Sequence, residues 1–406
     1  MDYDILIAGA GPAGCAAAYD LARAGKRVLL LDKRIFPRPK ACACGLTRKT
    51  LAALRYSVDP VVERVCHEIV LQQASAEPAH REVRVRTRNP ICAMAVRERF
   101  DAFCLQQTLG AAANGGSIAL RKIEGIAAIR QLAEHVELDV MSGGGAGVVE
   151  TLSAAVLIGA DGSNGQTRRM LQQDTHGEAV PPSAQDWYKR GFALEATSPY
   201  ANLPAKLPAG DAPTDLVFDF APLPGGYGWL FPKDDHINIG VGAFAPSDDA
   251  SGANLKRVTR KLLAEYTRHK LGVDLGRLPN IVTGQHLGMG GHAYVPQGRV
   301  LLVGDAAGLV DPLTGEGIHS ALVSGQAAAA AVLSGEGDVG AAYAEALRPL
   351  QETLAFSERA ARAFYREPER GFRVMRTPIL RGLVLKTYAD GLPHTKLLGR
   401  LARFVA

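Results

Sequence analysis

The sequence predicts an α/β fold, and three observations predict it. A short apolar strand runs into a glycine turn and an alanine-rich helix within residues 4–24. Two further apolar runs end in acidic, glycine-flanked turns at residues 157–163 and 299–308. Between these runs, residues 176–250 are rich in proline, glycine and aromatics, which suits β-sheet better than helix. The 406 residues give room for roughly two to three domains. The expected order is a first dinucleotide-binding part over residues 1–175, with an excursion near 66–95 into a substrate domain. A β-rich substrate domain follows over 176–284, the first domain resumes over 285–339, and a helical region covers 340–406.

Each element has a local reason. Residues 4–8 form a buried strand, 9–14 a turn and 15–24 a helix ending at Gly25, and residues 27–32 form a second buried strand. That is a Rossmann-like βαβ unit of the usual size, about thirty residues. Gly9 allows the tight turn, Gly11 lets backbone approach a pyrophosphate, and Gly14 lets helix and strand pack closely. Phosphate groups sit on the amides and the positive dipole end of such a helix. Asp32 closes the second strand, where a carboxylate holds the adenosine ribose. Residues 101–114 read as a helix, and residues 134–141 and 148–158 as strands joined by the glycine turn at 142–147. Lying between alternating strands, that turn is a hairpin and not a phosphate loop. Residues 253–272 read as a helix, 299–303 as a buried strand and 317–333 as a long alanine-rich helix.

Composition narrows the function. Apolar residues make up 47% and charged residues 21%, enough for a large core. The net charge of +5 is mild, and no basic stripe interleaved with aromatics exists, so nucleic acid is not an expected partner. No apolar run reaches the length of about eighteen residues that spans a bilayer. The acidic start Met1-Asp2-Tyr3-Asp4 lacks the positive region of an export signal, so a cytoplasmic location is expected. The six cysteines (Cys15, Cys42, Cys44, Cys66, Cys92, Cys104) then read as reduced thiols. Cys42 and Cys44 are too close in sequence for ordinary zinc spacing, and no metal is expected.

A second strand–turn–helix element, from Arg299 to Gly308 and on to Gly317, lies nearly three hundred residues after the first. A nicotinamide dehydrogenase has no need of it, but FAD does. Asp305 can hold ribityl hydroxyls, and the Gly315–Gly317 turn offers amides at a helix start to the N1/O2 edge of a reduced flavin. No second Gly-x-Gly-x-x-Gly follows another strand, so NADPH or NADH would dock transiently as reductant, or another external electron donor would serve.

Leu157-Ile158-Gly159-Ala160-Asp161-Gly162-Ser163 completes a set of three elements. Together they resemble the flavoprotein family that includes aromatic hydroxylases, flavin halogenases and geranylgeranyl reductases. Arg97-Glu98-Arg99-Phe100-Asp101 matches the Arg-x-x-(Leu/Phe)-Asp segment of these proteins, and the resemblance places Arg97 near the flavin or its phosphates. The resemblance implies FAD held by Gly9, Gly11, Gly14, Asp32, Arg97, Asp161, Gly162, Asp305, Gly315 and Gly317.

Two stretches point to one branch. Residues 224–233, Pro-Gly-Gly-Tyr-Gly-Trp-Leu-Phe-Pro-Lys, followed by Gly240 and Gly242, resemble the Tyr-x-Trp-x-Phe-Pro stretch of geranylgeranyl reductases. Residues 38–47 resemble their Lys-Pro-Cys-Gly-Gly-Gly-Leu segment, with Ala41 in place of the proline and Ala43 and Cys44 in place of two glycines. Those bulkier side chains narrow the backbone's approach to the flavin ring. A halogenase would need Trp-x-Trp-x-Ile-Pro, where this chain has Tyr227 and Phe231. Tyr227, Trp229 and Phe231 alternate, so on a strand they share a face that suits either an apolar substrate or a packed core.

The resemblance implies FAD-mediated reduction of an apolar, isoprenoid-like alkene, with Cys42, Cys44, Tyr227 and Trp229 on the substrate side. A monooxygenase acting on an aromatic or biosynthetic intermediate uses the same flavin motifs and stays open, as does a flavin-binding electron carrier. The tail from Arg366 to Arg403 holds nine Lys/Arg among interleaved apolar residues. It reads either as a helical lid with a solvated face or as a peripheral contact with anionic lipid.

Overall fold

The computed structural model describes residues 3–73, 82–143, 147–171, 187–208, 210–220, 225–243, 252–278, 283–335 and 337–391. The expected site residues all fall within these ranges. Pro224, the middle of the 142–147 turn, and Lys396, Arg400 and Arg403 of the basic tail lie outside them. The chain divides into two compact units. The first comprises Met1–Arg38, Asp101–Arg190 and Leu287–Ala355; the second comprises Pro39–Phe100, Gly191–His286 and Phe356–Ala406.

In the first unit, five parallel strands lie in the order Val300–Leu302, Val156–Gly159, Ile5–Ala8, Arg27–Asp32, Ser117–Lys122. The three first-named strands are buried at every residue, which is why they read as unbroken apolar runs. Side-chain alternation divides Ile5–Ala8 between two cores. Ile5 and Ile7 face a core shared with the helices Pro12–Arg23 and Ile318–Leu333. Leu6 and Ala8 face a core shared with the antiparallel sheet Gly125–Gln131, Val136–Ser142, Val148–Ala154. Small residues let the two helices approach closely: a Cβ on Gly325 would stand 2.2 Å from the Ala13 carbonyl oxygen. Trp187 meets Tyr188 edge-on and lies tilted against Tyr294 in this unit.

Two elements differ from the sequence expectation. The single strand expected over 148–158 is two strands, Val148–Ala154 and Val156–Gly159, in different sheets. The chain switches sheets at Ala155, whose amide donates to the Asp4 carbonyl at 3.0 Å. Both halves favour extended backbone, so local pattern has no mark for the switch. The helix expected over 101–114 spans Arg97–Leu109 and stops at Gly110. Ser142 pairs with Val148, as a hairpin through the 142–147 turn requires.

The second unit is built on a seven-stranded sheet. Its order is Thr283–Met289, Lys189–Pro199, His236–Ala243, Gly226–Pro232, Leu216–Asp219, Glu68–Gln72, Glu82–Arg86. The helix Gly252–Leu271 packs on one face, over Phe192, Leu194, Leu230, Ile237, Ile239 and Val241. Gly226–Pro232 is buried at all seven positions, so its opposite face is covered as well. A small sheet, Gly45–Thr47, Cys92–Ala95, Val62–Cys66, carries the loop around Cys42. Two helices of the tail, Pro368–Arg376 and Pro378–Asp390, belong to this unit, and Arg48 Nε donates to Asp390 Oδ1 at 2.5 Å. Among the described residues, no helix is long and apolar enough to cross a membrane.

Candidate active site

The first unit gathers the three glycine and acid motifs on one edge. They follow the C-terminal ends of three adjacent parallel strands, Ile5–Ala8, Val156–Gly159 and Val300–Leu302, which is the edge where doubly wound sheets bind dinucleotides. Gly9 has φ +109°, and a Cβ there would lie 2.3 Å from the Ala160 carbonyl oxygen. A Cβ on Gly14 would lie 1.9 Å from the Gly9 oxygen. Gly11 is open by contrast: the nearest atom to its absent Cβ is Arg38 Nη2 at 3.6 Å. No side chain caps the helix that begins at Gly11, and Pro12 fills its first turn. Asp32 accepts the Ala10 amide at 2.9 Å and the Arg34 amide at 2.8 Å, which fixes its carboxylate beside the turn.

Asp305 and Asp161 play different parts. Asp305 follows the strand Val300–Leu302, and its Oδ1 lies 3.3 Å from where a Cβ on Gly317 would stand. The carboxylate is therefore at the start of the helix Ile318–Leu333, which also has no side-chain cap. Gly315 takes φ +68°, and Asp311 shapes the same turn by accepting the amides of Leu313 and Thr314. Asp161 faces the protein: it accepts from the amides of Gln166 and Thr167 and from the Thr167 hydroxyl, capping Gln166–Leu171. Burial raises its pKa above the ordinary carboxylate value. Gly162, at φ +78°, has open space where a Cβ would stand. Open glycine surfaces, two uncapped helix starts and oriented carboxylates fit FAD.

Arg38, which local sequence did not single out, stands beside the Gly11 turn. Its guanidinium stacks over Phe36 at 4.7 Å and reaches buried Asp101 at 3.3 Å, which holds it beside Gly11. The Arg-x-x-Phe-Asp segment thus contributes through Asp101 to this edge. Arg97 is buried in the second unit.

The second unit brings Cys42 and Trp229 together through residues that no motif contains. Trp229 Nε1 donates to Asn238 Oδ1 at 2.7 Å. Asn238 in turn hydrogen-bonds Glu195, and Glu195 Oε1 accepts the Cys42 amide at 2.7 Å. On the other side of the loop, Lys233 Nζ donates to the Ala43 carbonyl at 2.7 Å. Cys44 sits at φ +50°, a left-handed conformation unusual for a side-chain-bearing residue, and its amide points at Cys42 Sγ at 3.3 Å. Glycine suits the neighbouring position, since a Cβ on Gly45 would stand 2.9 Å from Cys92 Sγ and force that side chain to shift. Burial pushes the Glu195 carboxyl up to about 7 and the Lys233 ammonium below its ordinary range. All six cysteines are free thiols.

Tyr227, Trp229 and Phe231 line one aromatic face, all buried. Phe218 meets Tyr227 and Phe231 edge-on at 5.2 and 5.3 Å, and Phe220 meets Tyr227 at 5.9 Å. Phe364, near the end of the helix Val339–Arg366, meets Phe220, and Tyr388 of the helix Pro378–Asp390 meets Phe218. The Trp229 indole lies on Gly240, where a Cβ would come within 2.0 Å of the ring.

Two outcomes are expected. Arg38→Ala, which removes a cation beside the phosphate edge, weakens FAD binding about ten- to a hundredfold in equilibrium titration of the stripped protein. Glu195→Gln changes stability with pH. Burial raises the folded carboxyl to about 7 from its ordinary 4.5, so its favourable contribution is present below the unfolded value and is lost as pH rises through 7. The stability difference, variant minus wild type, therefore grows between about pH 5 and pH 8 by roughly 1–3 kcal/mol in denaturant titrations. A flat difference would remove the buried-carboxyl assignment.

The comparisons with known proteins agree on the cofactor. A family model described as an FAD binding domain matches residues 2–187. A menaquinone reductase of Mycolicibacterium smegmatis is 32% identical over 342 residues, covering 82% of this chain and 76% of that protein. A geranylgeranyl diphosphate reductase of Rhodobacter capsulatus is 28% identical over 341 residues, covering 82% of this chain and 76% of that protein. Among solved structures, a geranylgeranyl bacteriochlorophyll reductase-like protein from Thermoplasma acidophilum matches with a TM-score of 0.67 at 20% identity, covering 88% of this chain and 87% of that one. A flavin-dependent brominase matches with a TM-score of 0.70 at 18% identity, covering 95% and 93%. At such identities the structural likenesses speak to fold, while the curated relatives speak to lineage. The chain belongs to the geranylgeranyl reductase family of FAD-dependent oxidoreductases.

Proposed function

We propose that this protein reduces carbon–carbon double bonds of a long apolar, isoprenoid-like substrate. The observation that carries the reading is the buried aromatic face tied to the Cys42 loop through Trp229, Asn238 and Glu195. Relatives named for geranylgeranyl diphosphate and menaquinone support it. Bound FAD, reduced by NADPH, NADH or another external donor, supplies a hydride equivalent to one alkene carbon. The Gly11 turn, Arg38 and the two uncapped helix starts hold its phosphates and flavin edge, and Asp305 orients the ribityl chain. Tyr227 and Trp229 hold the apolar chain and exclude water. Cys42, half-buried, holds at Sγ the proton that the second carbon takes up, and it is reprotonated from solvent. Cys44 shapes the turn that presents Cys42.

A membrane surface is the second partner proposed. On the tail helices, Ile379 and Val384 are exposed near Arg373, Arg376 and Lys386, a mixed apolar and basic surface suited to anionic lipid. Binding to vesicles containing phosphatidylglycerol, and its loss in Ile379→Asp, would support this; equal binding by both proteins would end it.

The catalytic test is anaerobic. Reduced protein mixed with geranylgeranyl alkenes should return to the oxidised flavin spectrum and yield product heavier by two hydrogens per bond reduced. Cys42→Ala should lower turnover about a hundredfold with KM little changed. If the alkenes leave the reduced spectrum unchanged while oxygen drives a long-lived spectral intermediate, the hydroxylase reading replaces this one.

A further inference from the structure

Glu195, Lys233 and Asn238 are buried polar residues gathered around one short loop. We propose that Glu195 and Lys233 are positioning residues for Cys42, clamping its loop from two sides and setting the reactivity of its thiol by their opposed charges. Glu195 holds the amide of Cys42 and Lys233 holds the carbonyl of Ala43, across 153 and 190 residues of sequence respectively. These two bonds brace the left-handed turn at Cys44, which aims its own amide at Cys42 Sγ.

Burying an acid and an amine beside one loop costs more than burying apolar side chains of the same size, so this pair is a poor device for stability alone. Its arrangement is directional. Asn238 is oriented by the Trp229 indole, so its amide group is turned to Glu195, and the aromatic face is wired to the thiol loop. The charged and titratable groups facing Glu195 include Lys233 and Arg97; those facing Lys233 include Cys42, Cys44, Cys66, Cys92 and Glu195. The thiolate is the reacting form of cysteine, so a carboxylate across the loop opposes its reaction and an ammonium favours it. The inference concerns the site of the proposed reduction, but the test uses no alkene, so failure of either leaves the other standing.

The test is alkylation of Cys42 by iodoacetamide in the flavin-loaded full chain, followed by peptide mass spectrometry from about pH 5.5 to pH 8.5. Glu195→Gln keeps an acceptor for the Cys42 amide but no charge. It should react about three- to tenfold faster than wild type above about pH 8 and equally below about pH 6. Lys233→Met should react more slowly than wild type by a similar factor. Retained flavin absorbance in both variants reports the fold. Loosening of a merely structural clamp would speed both, so changes of the same sign, or no change, would overturn the proposal. Should a variant fail to fold, the wild-type profile decides: an inflection near pH 7 beside the thiol's own titration supports the assignment, and a single smooth titration refutes it.

Discussion

At the Gly9 turn the end of the first strand lies against the Ala160 carbonyl so closely that one added methyl would stand 2.3 Å from that oxygen. The contact joins the first glycine motif to the Asp161 motif, and the adjoining strands pair in parallel register from Ile5 and Val156 to Ala8 and Gly159. Further along the same edge, a Cβ on Gly288 would stand 2.2 Å from the Asp305 carbonyl oxygen. Backbone packed on backbone, with the Asp32, Asp161 and Asp311 carboxylates accepting nearby amides, fixes the turns. Arg38 and Asp305 stand at that same edge, beside two helix starts that no side chain caps.

Motifs were legible where the chemistry is local. Gly9, Gly11 and Gly14 sit within one turn, and their spacing alone predicts the conformation found. The alternation of Tyr227, Trp229 and Phe231 likewise placed three aromatics on one face. What stayed hidden depends on long-range pairing. Glu195 and Asn238 occur in strand segments that any β-sheet could contain, Lys233 follows the aromatic strand with nothing local to mark its partner, and only the register of Gly226–Pro232 with His236–Ala243 brings Trp229 and Asn238 together. Arg38 lay inside a segment read for its cysteines, and its link to Asp101 spans 63 positions (101 − 38) of the numbering. The sheet switch at Ala155 was invisible because extended backbone on either side has the same local pattern.

The departure at positions 43 and 44 gains a physical account. Related segments have glycine there, and Cys44 at φ +50° occupies a region that glycine enters without strain. A side chain in that conformation persists only when its surroundings over-determine it, at a cost of order 1–3 kcal/mol. Here the bracing comes from Lys233 on Ala43 and from burial of the Cys44 thiol. The aromatic covering of the sheet has a similar dependence, since Trp229 can lie flat only because residue 240 has no side chain.

The chain contains two tryptophans, Trp187 in the first unit and Trp229 in the second. One packs among tyrosines, edge-on to one and tilted against the other, and the other tryptophan donates its indole proton to an amide oxygen while lying on a glycine. Each unit thus carries its own natural fluorophore in a distinct polarity. A single-tryptophan variant would let emission follow one unit at a time, separating events at the cofactor edge from events at the aromatic face.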